Sequence, residues 1–209
     1  MSLIAKIKNF LKEADLKYYF YFKYSLFIGY LHTKFNIILY NGKLIIGKNF
    51  KVWGSIRFLI DGNGKILIGD DFHAVSSRRR SYLTLFSPCH LTIVRSGKII
   101  LGKHVGLNGN TIISKKKIEI KDETMIGPNT IIIDHDGHSI SPINRWNSDD
   151  EPKEISIGKN CWIGMNCIIL KGVNIGDNTV IAAGSVVIKS CDKDSLYAGN
   201  PAKKIKNIL

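Results

Sequence analysis

Along this chain the aliphatic positions keep a period that belongs to neither of the two common elements. Ile157, Ile163, Ile169, Ile175, Ile181 and Val187 fall six apart without a slip. A helix repeats near 3.6 residues and a strand near two, so a sustained six fits short strands joined by tight corners. Gly or Ala follows the aliphatic position at Gly158, Gly164, Gly176 and Ala182. Compact residues recur four after it, at Cys161, Cys167, Val173, Thr179 and Ser185. The aliphatic and compact side chains are expected to point inward. The Gly residues, and the Asn of GKN, GDN and GPN, are expected at corners that need a permissive backbone.

Upstream the signature continues at Ile120, Ile126 and Ile132, and more loosely from Ile46, Ile68 and Leu101. Residues 43–190 therefore read as one solenoid whose stacked coils share a core. Two stretches break the period. Residues 76–90 contain Arg78, Arg79 and Arg80, and residues 139–154 are polar with two prolines, the pattern of a protruding loop. Residues 191–209 read as a cap, with a short helix expected at the end of AGNPAKKIKNIL. Residues 1–42 form a separate basic, aromatic arm that reads as helical, with LKYYFYFKYSLFIGYL at its centre. Two readings of the arm stand. It packs on the solenoid or a neighbouring subunit, or residues 1–40 make a peripheral contact with a membrane, aromatics at headgroup level and lysines toward anionic lipid. Its longest uncharged apolar run, Tyr24 to Leu31, is too short to span a bilayer.

Charge and cysteine usage narrow the function classes. Lys and Arg outnumber Asp and Glu by 30 to 17, which suits anionic partners or simple solubility. Nucleic acid is not expected, because no binding motif is present and the aromatics gather in the arm rather than on repeated strand faces. Cys89, Cys161, Cys167 and Cys191 lack CxxC spacing, so packing is expected rather than zinc or redox chemistry. His32, His73, His90 and His104 are scattered, and no metal is expected. Charges at Lys6, Lys8, Lys12, Glu13 and Asp15 interrupt any secretory signal. A cytoplasmic setting follows, at the inner face of a membrane under the second reading of the arm.

The repeat also singles out one histidine. Six beyond Ile132 an aliphatic residue is due, and His138 stands there, in IIIDHDGHSI, where the solenoid gives way to the loop. A neutral imidazole suits removal of a hydroxyl proton at neutral pH. His135 is the rival. Asp134 or Asp136 are candidates to orient the ring, and Asp149, Asp150 and Glu151 to touch it or an acceptor.

The hexapeptide turns, the loop opening near His138, NCWIG and the closing AGNPAKKI together resemble the hexapeptide-repeat acyltransferases, among them galactoside, maltose and capsular-polysaccharide O-acetyltransferases. The resemblance implies an all-β, left-handed parallel β-helix that assembles as a homotrimer with active sites between subunits. It implies acetyl-CoA as cosubstrate, a saccharide acceptor and His138 as general base. Asn108 of GLNGN matches the residue near the reacting carbonyl, with Asn110 second, against the plainer reading that both are corner residues. Trp162, Met165 and Ala183 match cofactor-side positions, and Lys189, Lys203 and Lys206 match phosphate-facing ones, while Lys204 reads as solvated. The implied role is O-acetylation in surface-polysaccharide biosynthesis. N-acetylation of an amino sugar or drug, and a non-enzymatic trimer, are the alternatives. Arg78–Arg80 and Lys115–Lys117 read as solvated faces or as contacts to an acidic saccharide or lipid phosphate.

Overall fold

Stacking turns the six-residue period into three walls. The computed structural model describes residues 3–81, 83–143, 145–146 and 150–209, with side chains from residue 16 onward. The first wall is a six-stranded sheet of Leu44–Ile46 (β1), Lys65–Ile68 (β4), Lys98–Leu101 (β7), Ile118–Ile120 (β10), Ile155–Ile157 (β13) and Asn174–Ile175 (β16). The second holds Lys51–Gly54 (β2), His73–Ser76 (β5), Gly106–Asn108 (β8), Met125–Ile126 (β11), Trp162–Ile163 (β14), Val180–Ile181 (β17), Ser195–Ala198 (β19) and Lys203–Asn207 (β20). The third holds Arg57–Ile60 (β3), His90–Ile93 (β6), Thr111–Ser114 (β9), Ile131–Ile133 (β12), Ile168–Ile169 (β15) and Val186–Val187 (β18). Up to β18, successive strands visit the three walls in turn and pair in parallel. This is a left-handed parallel β-helix.

One ladder shows how the sequence period becomes packing. In the first wall Ile46 pairs with Ile68, Ile68 with Leu101, Leu101 with Ile120, Ile120 with Ile157 and Ile157 with Ile175. All but Ile46 are buried, each worth about 1.5–3 kcal/mol relative to exposure. The last step is 18 residues, three hexapeptides, whereas two earlier steps span 33 and 37 residues. Those longer coils contain the two interruptions, so the loops bulge from corners without disturbing register. The corner asparagines Asn129, Asn160, Asn166 and Asn178 adopt left-handed φ values of 51–60°, which Asn tolerates better than other side chains. Cys161 and Cys167 fill the small inward positions, their N–H groups donating to Thr124 and Thr130 hydroxyls at 3.0 and 3.1 Å.

The expected C-terminal short helix is absent. Lys203–Asn207 instead forms β20, antiparallel to β19. The last coil leaves an open sheet edge whose backbone groups need partners, whereas a helix of so few residues is below the length that propagates.

Helix α1, Leu3–Leu39, precedes the solenoid and lies against the free edge of β2. The approach is close: a Cβ on Gly29 would sit 1.9 Å from the Val52 carbonyl oxygen. Tyr21 Oη and Ser77 Oγ are 2.8 Å apart, and Tyr40 Oη donates to the Phe58 carbonyl at 2.9 Å.

Candidate functional site

The candidate residues separate onto two corners of the triangular coil. Met165 and Ala183 lie at turns between the second and third walls, with Trp162 and Asn108 on strands of the second wall beside them. His138 lies in the long loop between β12 and β13, at the corner joining the third wall to the first. Lys189 follows β18 at that same corner. Lys203 and Lys206 are exposed on β20, where the second wall ends.

At the first corner an apolar groove of about 470 Å³ runs along the stacked turns. Trp162, Met165 and Ala183 line it together with Leu83, Pro128 and Leu196. The last three escape a reading based on periodicity. Leu83 comes from the 76–90 interruption, which folds back over the corner. Asn129 Nδ2 donates to the Thr84 carbonyl at 2.9 Å, and its Oδ1 accepts the Phe86 N–H at 3.0 Å. The tie holds Leu83 against the wall. Among the described residues, the backbone N–H groups of Met165 and Ala183 and the Ala183 carbonyl make no hydrogen bond within the chain. An extended ligand lying in the groove therefore meets unspent backbone donors and an acceptor along an apolar floor.

Asn108 departs from the other repeat asparagines. Gly109, with φ +58°, takes the left-handed position of its corner, so Asn108 is not a corner residue. Its side-chain oxygen is buried and unpartnered among the described residues, a costly state unless a ligand supplies the missing bond. Asn110, the second candidate, is structural. It is fully buried, accepts the Asn108 N–H at 2.6 Å and donates to the Gly127 carbonyl at 2.7 Å.

At the other corner the sequence left the acid partner of His138 open, and the structure assigns the acids elsewhere. Asp134 is fully buried and accepts from Ser114 Oγ and the N–H groups of Lys115 and Lys116, with His135 Nδ1 at 3.1 Å. This ties up the rival histidine. Asp136 pairs with Lys171. Asp150 Oδ2 accepts the N–H groups of Asp136 and Gly137 at 2.7 and 3.0 Å, and its other oxygen pairs with Lys115. Burial works to raise the Asp150 pKa, but the Lys115 ammonium and the two N–H donors overcome it and hold the carboxyl well below the usual range. His138 is exposed beyond this clamp, its ring edge-on to Trp146 at 6.2 Å. Asp149 lies outside the described residues.

The basic clusters are mostly engaged. Lys115 and Lys117 pair with Asp150 and Glu119. Arg79 and Arg80 lie over the Tyr21 and Phe22 rings of α1 at 5.5 and 5.0 Å. Lys204, read as solvated, pairs with Asp192 at 2.9 Å, while Lys203 and Lys206 flank it. Burial pushes all four thiols up, Cys191 to about 12. No group of three or more potential metal ligands occurs among the described residues.

The bacterial transferase hexapeptide (six repeats) family matches residues 154–189. Galactoside O-acetyltransferase of Escherichia coli is 37% identical over 111 residues, 53% of this chain and 54% of that protein. The chain thus spans about half the length of the curated relatives it matches. A hexapeptide-repeat acetyltransferase from Vibrio cholerae, solved with acetyl coenzyme A, superposes with a TM-score of 0.50 at 27% identity, covering 73% of this chain and 71% of that one. An N-acyltransferase from Bacillus cereus, solved with dTDP and coenzyme A, superposes over 83% of this chain and 89% of its own with a TM-score of 0.62. At 23% identity it shows the fold alone.

Proposed function

We propose that this chain, similar in sequence and fold to the hexapeptide-repeat acyltransferases, is an acetyl-CoA-dependent O-acetyltransferase acting on a saccharide hydroxyl in surface-polysaccharide biosynthesis. The observation that carries the reading is the groove at Trp162, Met165 and Ala183. Its apolar floor and free backbone groups fit a pantetheine arm, and the exposed Lys203 and Lys206 near its end suit phosphates.

Acetyl-CoA supplies the acetyl group as a thioester that a hydroxyl oxygen attacks directly, releasing the thiol. His138 takes the proton from that hydroxyl as the new C–O bond forms and returns it to the departing sulfur. In this reading the Asn108 side-chain N–H donates to the carbonyl oxygen as it gains negative charge. Leu83 and Trp162 shield the thioester from water.

His138 and the groove occupy different corners of one coil, separated by a wall of about six residues, or roughly 15–20 Å. In this reading His138 of one copy serves the groove of its neighbour. The reading therefore includes a homotrimer with each active site between subunits.

Thiol release from acetyl-CoA with a panel of saccharides, including amino sugars, tests the proposal. Wild type is expected to turn over hydroxyl acceptors, and His138→Ala to lose at least about a hundredfold in kcat with CoA affinity intact. Full turnover by His138→Ala sinks the base assignment. Absence of CoA binding sinks the enzyme reading, and turnover confined to amino sugars shifts it to N-acetylation.

A further inference from the structure

Helix α1 buries its small and polar residues most deeply, with Phe22 and Ile37 half-buried beside them. The stripe it turns to the solenoid is Ser25, Gly29, Thr33 and Asn36, all buried and small or polar. Close contact with the β2 edge selects them, since nothing larger fits at Gly29. The opposite stripe is Phe20, Tyr24, Phe27, Leu31, Phe35 and Ile38, spaced by three or four residues and so on one face. These six are 47–77% exposed. The stripe is about 27 Å long, a continuous apolar surface of the kind that soluble proteins leave open only where something covers it.

Charge indicates what covers it. Lys17, Lys23 and Lys34 flank the stripe, all exposed, and no acidic residue occurs between Leu16 and Leu39. Two such faces laid together set lysine against lysine with no carboxylate to balance them. An anionic lipid surface instead satisfies both the rings and the ammonium groups. No helix among the described residues is long and apolar enough to cross a membrane, so the helix lies on the surface. We propose that the outer face of α1 docks this protein onto a bilayer rich in anionic lipid, with the helix axis in the membrane plane and the rings at the headgroup–acyl boundary. The inference is independent of the reaction catalysed.

Co-sedimentation of the full chain with vesicles tests it, using phosphatidylcholine alone and phosphatidylcholine mixed with phosphatidylglycerol. Wild type is expected to sediment with the mixed vesicles and to be released as salt rises. The triple variant Phe20→Ser/Phe27→Ser/Phe35→Ser, altered only on the exposed face, is expected to keep its melting temperature and remain in the supernatant. Lys17→Glu/Lys23→Glu/Lys34→Glu is expected to bind roughly a hundredfold more weakly. Wild type that stays in the supernatant with both vesicles overturns the proposal, as does a triple Ser variant that binds like wild type. Equal binding to pure phosphatidylcholine removes the anionic requirement. If light scattering shows the triple Ser variant losing mass while wild type ignores vesicles, a second copy covers the face and the bilayer does not.

Discussion

The carboxylate of Asp150 accepts the backbone N–H of Gly137 at 3.0 Å, directly before His138 in the chain. One buried acid thus sets where the loop delivers the imidazole, although it does not touch the ring. Asp150→Asn is expected to lower kcat about tenfold or more while leaving the KM for acetyl-CoA unchanged. It also breaks the Lys115–Asp150 ion pair, which lowers stability. Adding Lys115→Met removes the ammonium that faced the carboxylate, so the double variant should recover stability without recovering kcat. Recovery of both would make Asp150 merely structural.

Asp150 also predicts a pH dependence. Its folded pKa lies below the unfolded value near 3.9. Its stabilising contribution is therefore complete above about pH 4 and is lost as pH falls further. The gap in melting temperature between wild type and Asp150→Asn should be widest at pH 7 and shrink toward pH 3. A constant gap would contradict the depressed pKa.

The two corners make a subunit test available. Trp162→Ala is expected to weaken CoA binding about tenfold, the scale of losing an exposed aromatic wall, and to leave the thermal midpoint nearly unchanged. Coexpressing a Trp162→Ala chain that also carries Met165→Pro with His138→Ala chains should restore about a quarter of wild-type activity, the random share of interfaces with both parts intact. No restoration would place the site within one copy.

The cysteines should be silent. All four are buried and their pKa values raised, so the folded protein at pH 7.5 should take up negligible thiol reagent, and all four should react after denaturation. Rapid labelling of Cys161 or Cys167 in the folded state would contradict their packing role.

Gly29→Leu should detach α1 from β2, because the added side chain meets backbone oxygen rather than a movable side chain. Hydrogen exchange should rise across residues 20–39 and along β2, while the hexapeptide ladder from Ile157 to Val187 stays protected. Unchanged exchange in the helix would mean the close approach is relieved elsewhere.

The solenoid was legible in the sequence because its period is local. Every sixth residue from Ile157 to Val187 meets the same inward environment, so burial selects the same side-chain types at equal spacing. His138 was legible as the residue that breaks that series, and the Met165 and Ala183 turns through their likeness to known repeats. Everything that depended on contacts between distant segments was not. Leu83 reaches the groove only because Asn129 pins its loop. Asp150 clamps the peptide before His138 across 13 residues, and a polar loop has no period to betray such a pair. The C-terminal residues look helical in isolation but pair with an open sheet edge that exists only once the coils have stacked. The aromatic arm shows its outward face only after Ser25, Gly29 and Thr33 are seen turned inward, since hydrophobicity alone assigns the large side chains to the core. Periodic burial is written residue by residue; the corner that each loop reaches, and the face that each helix leaves open, are set by the assembled fold.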